Sequence, residues 1–377
     1  MKPVIKVVEK KKGKDLSAFI HFPEKLYKGD KWWVPALVDD YYGTLLPERN
    51  PAYEFCETEL FLALDDKGEI VGRVAAIVNN KAIDIFHEDS ARFGWIDFIQ
   101  DQDVCDALLG AVENWALARG LKKIKGPFGF TDMDKEGLLV EGFERLAPFT
   151  TIYNYPYYGE MIEKAGYSKA IDWSQRIITM PAEMPKMLKL ADALGERAGV
   201  HSYKIKDKKD LKKEASNVFN HLYNECFAPL YEFTPFSEKQ TEALVKSYIP
   251  IMDKDLISVV HDKDENVVAF AITVPSLSRA IQKGKGKLLP FGIFHILHAL
   301  KHEDTLEALM IGVHPDYQGK GLQVLLFRDI YETALKRGIK RMIMNPQLET
   351  NTKVLRIFDA FEPEPYMIRR AYEKDIA

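Results

Sequence analysis

The sequence predicts an α/β protein made of two copies of one mixed-sheet lobe, and three observations carry that reading. Residues 306–313 are an apolar run of strand length that stops before Pro315. The turn Gln318-Gly319-Lys320-Gly321 follows, then a segment whose apolar residues Leu322, Leu325, Leu326, Ile330 and Leu335 recur at helical spacing. A β-hairpin pattern occurs twice, over 59–78 and over 256–274, with Ile70 and Val267 in register at an offset of 197 residues. The stretches LARGLKKI (117–124) and LKRGIKRM (335–342) are the same helix-to-strand junction. Repetition of a whole domain accounts for the paired hairpins and the paired junctions.

In chain order, residues 4–9 read as a strand, followed by a lysine-rich turn and a helical segment with Phe19, Phe22 and Leu26. Trp32, Trp33, Tyr41 and Tyr42 lie in an irregular stretch, read as packing on the first sheet. The first hairpin turns at Asp65-Asp66-Lys67-Gly68. A strand over 93–99, a helix over 104–118 ending at Gly120, and a short strand over 122–126 come next. The loop 129–142 contains Asp132, Asp134 and Glu136. Their spacing hints at calcium, but Phe143 stands where a bidentate glutamate belongs and no helix precedes the loop, so it reads as solvated or facing substrate. A helix over 157–165, closed by Gly166, and a strand over 168–180 complete the first lobe, residues 1–180. Residues 181–199 are polar and interrupted by Pro185, Gly195 and Gly199, which reads as a linker to a second lobe over 200–377.

With 377 residues and 46% apolar content, the chain has material for two cores. A net charge of −4 provides no global field for nucleic acid. No run approaches the roughly 18 apolar residues of a membrane span, and the N-terminal residues lack a signal-peptide pattern. Cys56, Cys105 and Cys226 are widely spaced, which fits a reducing cytoplasm and neither a disulfide nor a metal site.

Glycines between a strand and a helix N-terminus form an anion cradle, because the first-turn N–H groups and the helix dipole point into the turn. Val313, Pro315, Tyr317, Gln318, Gly319 and Gly321 resemble the acyl-CoA pyrophosphate loop of the GNAT superfamily of N-acyltransferases, with Gln323 where that family has Gly or Ala. Gly126, Pro127 and Phe128, the run from Glu136 to Phe143, and Tyr153, Asn154, Tyr157, Tyr158 and Gly166 resemble a two-lobed bacterial branch. So do Leu288, Leu289, Pro290, Phe291 and Gly292.

The resemblance implies tandem GNAT lobes, with acetyl-CoA or another acyl-CoA bound in the second. Ile311 and Val313 would hold the pantetheine, and Gln318, Gly319, Lys320, Gly321, Leu322 and Gln323 would face the pyrophosphate. Asn351 would contact CoA, and Glu307 at the start of the fourth strand would be the general base. In the first lobe Gln100-Asp101-Gln102-Asp103 replaces the glycine loop, and carboxylates there repel phosphate.

The family's general acid is a tyrosine seven residues after the helix-starting asparagine, and here that count reaches Phe358. Tyr366 or Tyr372 on the last strand serves instead, or the thiolate takes its proton from water, or the lobe binds acyl-CoA without turnover. The expected function is N-acyl transfer to a small amine or amino-acid-like acceptor. The alternative is a non-catalytic acyl-CoA or metabolite sensor.

Residues between the second hairpin and the fourth strand form an insertion. His295, His298 and His302 share one helix face there, without the further ligands of a zinc site. Arg279, Lys283, Lys285 and Lys287 precede the apolar run 288–300. A membrane surface, a cover over an acyl chain and a domain-packing helix all fit that pattern, the last being the ordinary outcome.

Overall fold

The computed structural model describes residues 2–249, 252–351 and 358–377. The first lobe runs β1 (Val4–Val8), α1 (Lys14–Leu26), α2 (Val38–Leu45), β2 (Cys56–Leu64), β3 (Ile70–Asn79), α3 (Asn80–Phe86), β4 (Ser90–Phe98), α4 (Gln102–Leu117), β5 (Lys123–Gly126), β6 (Leu138–Glu141), α5 (Tyr157–Lys164) and β7 (Ser168–Thr179). After α6 (Ala191–Ala198) the second lobe begins with β8 (Val200–Tyr203), α7 (Lys208–Asn217), α8 (Tyr223–Phe227), α9 (Glu238–Tyr248), β9 (Ile257–Asp262) and β10 (Val267–Pro275). Helices α10 (Ser278–Gly284) and α11 (Gly292–His302) form the insertion, followed by β11 (Thr305–Val313), α12 (Leu322–Lys336), β12 (Arg341–Ile343), β13 (Gln347–Leu348) and β14 (Glu364–Asp375).

The duplication is visible down to one turn. Asp65 Oδ1 accepts the N–H groups of Lys67 and Glu69 at 2.9 and 2.8 Å to close the β2–β3 hairpin. Asp262 Oδ1 does the same for Asp264 and Asn266, at 2.9 Å each, between β9 and β10. Gly68 and Glu265 occupy the equivalent left-handed position, φ 79° and 61°. Only glycine takes that conformation without steric cost.

Each lobe has one parallel pair, β4–β5 and β11–β12, crossed by α4 and α12. Helix α12 forms because Leu322, Leu325, Leu326, Ile330 and Ala334 place one apolar face on the sheet, all of them buried. Residues 181–199 pack rather than dangle: Leu188 and Ala191 are buried in the same cluster as α12.

The lobes are joined through their last strands. One sheet runs β1-β2-β3-β4-β5-β14-β7-β12-β11-β10-β9-β8. Strand β14 ends the chain but pairs with β5 of the first lobe, Tyr372 opposite Gly126. Strand β7 pairs with β12 of the second lobe, Ile178 opposite Met342. Each lobe thus completes the other's sheet. The contact is reinforced by Glu232, which accepts from Arg92 of β4 at 2.7 Å and Lys125 of β5 at 2.8 Å, all three buried.

Candidate functional site

Strand β11 pairs with β10 along its whole length but with β12 only through Thr305, Leu306 and Glu307. From Ala308 to Val313 its other edge has no strand partner among the described residues. A 3-10 turn, Pro315–Tyr317, then leads into the glycine loop, where Gly319 and Gly321 have φ 77° and 87° and Gly321 is the N-cap of α12. Leu322 turns its side chain into the core, and the Val324 N–H donates back to the Gly321 carbonyl at 2.9 Å, while the N–H groups before it have no carbonyl of α12 to bond. Gln318 Nε2 donates to the Val313 carbonyl at 3.3 Å. The Lys320 ammonium lies 4.7 Å from the centre of the Tyr317 ring.

The loop opens onto a cavity of about 1150 Å3, larger than the roughly 300–1,000 Å3 of ordinary small-molecule sites. Ile311, Val313, Gln318, Gly319, Gln323 and Asn351 all line it, so most of the residues expected to hold acyl-CoA come together. Its far walls are apolar: Phe219, Leu244, Met252, Phe270, Ile272 and Leu309 among them. A π-helical turn, Val218–Leu222, sits between α7 and α8 on this wall; such turns recur at functional sites.

One wall comes from the first lobe. Asp132, Asp134 and Glu136, on the loop between β5 and β6, face the same cavity. Asp134 Oδ2 accepts the N–H groups of Phe130 and Thr131 at 2.8 and 3.2 Å and so shapes the loop. Asp132 Oδ2 accepts from the Tyr223 hydroxyl of α8, while its Oδ1 has no hydrogen-bond partner among the described residues. Burial pushes the Asp132 carboxyl up to about 6, with the Tyr223 hydroxyl acting the other way. Burial, and next the neighbouring Asp132, drive Glu136 well above the usual carboxylate range. On the same cavity, Gln347 is buried with both side-chain polar atoms lacking a partner among the described residues, and Asn345 Oδ1 is in the same condition. Buried polar groups without partners cost about 1–3 kcal/mol each, and a polar ligand in the cavity relieves that cost.

Glu307 and Tyr366 lie elsewhere. Glu307 is 2% exposed, accepts from Ser276 Oγ at 2.5 Å and Ser278 Oγ at 3.2 Å, and is not on the cavity wall. Burial pushes it up to about 7, against the two hydroxyls. Tyr366 donates to the Leu146 carbonyl at 2.8 Å and packs with Leu139 and Phe143, also off the wall. The helix expected after Asn351 lies outside the described residues. Phe358 is buried against Phe327, ring centres 4.9 Å apart.

The first lobe has the same open strand edge and fills it itself. Strand β4 pairs with β5 only through Ser90, Ala91 and Arg92. Beyond that point the Phe98 carbonyl accepts from Tyr157 Oη at 2.6 Å, and the Phe98 N–H donates to Tyr158 Oη at 3.0 Å. At the N-terminus of α4 the Asp101 side chain accepts the Asp103 N–H, so a carboxylate of the chain occupies the anion position.

Comparison with known proteins agrees with this geometry. Residues 217–361 match the acetyltransferase (GNAT) family. The chain is 30% identical over 372 residues to Protein YghO of Escherichia coli (strain K12), covering 96% of this chain and 93% of that one. It is 28% identical over 380 residues to the bacterial ceramide synthase of Caulobacter vibrioides (strain NA1000 / CB15N), covering 98% and 97%. A tandem GNAT protein from the clavulanic acid biosynthesis pathway shares the fold over 100% of this chain and 99% of its own, with a TM-score of 0.58 at 12% identity. The chain belongs to the GNAT superfamily of N-acyltransferases, as a two-lobed member.

Proposed function

We propose that the protein joins a long acyl group, carried by acyl-CoA, to the primary amine of a long-chain acceptor. The observation that carries this reading is the cavity of about 1150 Å3, which runs from the phosphate loop between apolar walls to the carboxylates of the first lobe. A long chain buries apolar surface there at about 25 cal/mol per Å2, whereas an acetyl group and a small amine leave most of the walls uncovered. The similarity to a protein named for ceramide synthesis supports the reading, since a ceramide is the amide of a fatty acid and a long-chain amino alcohol. Acetyl transfer to a small amine is the second reading, favoured only by the family description. Acyl-CoA substrates place the reaction in the cytoplasm.

In this reading the glycine loop and the α12 N-terminus take the pyrophosphate, and the open edge of β11 takes the pantetheine. Asp132 receives the acceptor's ammonium group and removes one proton. The amine attacks the thioester carbonyl carbon, a C–N bond forms, and the C–S bond breaks. Glu136, held neutral, gives its proton to the departing thiolate and recovers one from the nitrogen. The products are the amide and CoA thiol, and the proton on Asp132 returns to water. Environments that separate the proton affinities of two neighbouring acids assign them as base and acid.

The test is thiol release and mass detection of the amide over acyl-CoAs of rising length, paired with dodecylamine or with small amines. Turnover that rises with both chain lengths supports the reading. Turnover confined to acetyl-CoA and small amines rejects it, and tight acyl-CoA binding without amide from any pair returns the protein to the sensor class.

A further inference from the structure

The insertion from Ser276 to His302 has no counterpart of its size in the first lobe, where only the short α3 and its flanking turn separate β3 from β4. The chain as a whole has 56 acidic and 52 basic residues, yet this stretch contains Arg279, Lys283, Lys285, Lys287 and Lys301 and not one Asp or Glu. Helix α11 is two-faced. Gly292, Ile296 and Ala299 are buried on the inner side. Phe291, Phe294 and Leu297 are 70%, 65% and 49% exposed on the outer side, and Leu289 in the preceding loop is 77% exposed. The lysines of the stem, Lys283, Lys285 and Lys287, are exposed beside them.

This surface is held in place. Gln282 Nε2 donates to the Trp33 carbonyl at 2.7 Å and to the Lys31 carbonyl at 3.1 Å, and the Val38 N–H donates to the Gly286 carbonyl at 2.9 Å. Ile281, Ile296 and Ala299 pack with Tyr27 and Val34 of the first lobe. The outward aromatic face is therefore presented by a fixed platform, and folding has not left it there for want of an inner partner. Leu277 and Leu300, near its two ends, are on the wall of the large cavity.

Exposed apolar residues beside the exposed Lys283, Lys285 and Lys287, in a stretch with no acid before Glu303, match an anionic bilayer: the side chains enter the acyl region and the lysines meet the headgroups. A second copy of the chain placed symmetrically on the same face brings cations against cations. We propose that α10 and α11 form an in-plane anchor that seats the protein on an anionic membrane surface. The lipid acceptor then enters the cavity past Leu277 and Leu300, a step that rests on the long-chain reading above.

The experiment is flotation of the purified full chain with vesicles of phosphatidylglycerol and phosphatidylcholine, against vesicles of phosphatidylcholine alone. The expected result is binding to the anionic vesicles that weakens as salt is raised. The variant Leu289→Ser/Phe291→Ser/Phe294→Ser and the variant Lys283→Glu/Lys285→Glu/Lys287→Glu each bind at least about tenfold more weakly. Leu335→Ser, which changes an exposed leucine elsewhere, binds as wild type. Equal flotation of wild type and the serine variant overturns the anchor, as does failure of wild type to bind anionic vesicles at low salt. A dimer in sedimentation that the serine variant dissociates, with no vesicle binding, makes the face a contact between copies and also overturns it. Amide formation from dissolved dodecylamine without vesicles is measured in parallel. If the variant retains it but loses vesicle binding, both proposals stand; vesicle binding without amide from any pair rejects the function and leaves the anchor.

Discussion

The hydroxyl of Tyr157 donates to the backbone carbonyl of Phe98 at 2.6 Å. Phe98 stands on β4 where Val313 stands on β11: Tyr157 and Tyr158 hold both the carbonyl and the N–H of Phe98, whereas at Val313 the exposed Gln318 side chain reaches the carbonyl at 3.3 Å. With Tyr158 on the Phe98 N–H and Asp101 capping α4, side chains of the first lobe occupy the backbone of Phe98 and the α4 N-terminus. Calorimetric titration with CoA is expected to give one site per chain. Asp101→Ala leaves the affinity unchanged, and a stoichiometry of two refutes the inequality of the lobes.

The two loop glycines separate binding from folding. A Cβ on Gly319 meets nothing within 4 Å, whereas one on Gly321 lies 3.1 Å from Leu194. Both have positive φ, so any side chain adds strain. Gly319→Asp, which places a carboxylate beside the phosphates, is expected to weaken CoA binding on the order of 30-fold with a modest loss of Tm. Gly321→Ala is expected to lose more Tm because Leu194 must also move. Wild-type affinity in a folded Gly319→Asp makes the loop a structural turn.

Asp132 is the candidate base, pushed up to about 6. Asp132→Asn is expected to lower kcat/KM by roughly 10²–10⁴ while CoA affinity is retained. In wild type kcat/KM rises with pH through about 6 as the carboxyl ionises, and the variant lacks that limb. An unchanged pH profile in the variant assigns the base elsewhere, with Glu307 the next to test.

Glu307 carries a stability prediction whatever its role in turnover. Its folded-state carboxyl titrates at about 7, above the ordinary 4.3 or so of an unfolded chain. The folded state therefore holds an extra proton between those values, and the stability this contributes is lost as pH rises through 7. Over pH 6 to 8 the loss is about 1.4 kcal/mol. Glu307→Gln keeps hydrogen bonding to Ser276 and Ser278 and removes the titration. Urea unfolding at the two pH values is expected to show that difference between wild type and variant.

Ala215 sits on the apolar cavity wall. Ala215→Phe fills part of the volume and is expected to reduce kcat/KM for long-chain acyl-CoA by about tenfold or more, with the short-chain reaction little changed. Equal losses at every chain length place the acyl group in another part of the cavity.

What the sequence determined by itself was local. The hairpin at Asp65, the strand-loop-helix at Gln318 to Gly321, the helix stops at Gly120 and Gly166, and the duplication rest on backbone preferences and apolar spacing within a few residues. These need no distant partner. The strand-loop-helix proposed to take the pyrophosphate was legible for the same reason, since the donors it would offer are consecutive backbone groups.

Tertiary structure alone decided what faces the cavity. Asp132 and Glu136 in a polar loop read as solvated or facing substrate, and only the exchange of β7 and β14 between lobes turns that loop toward the second lobe's cleft. Glu307, chosen by its distance along the chain from the loop, is turned by the fold onto Ser276 and Ser278. Tyr157 and Tyr158 plug a strand edge some sixty residues away, and pairing across that separation leaves no periodic trace in the sequence. Strand spacing and helical period report which side of an element is apolar; which other element covers that side is set by packing, and packing is where the two lobes of one ancestral pattern came to differ.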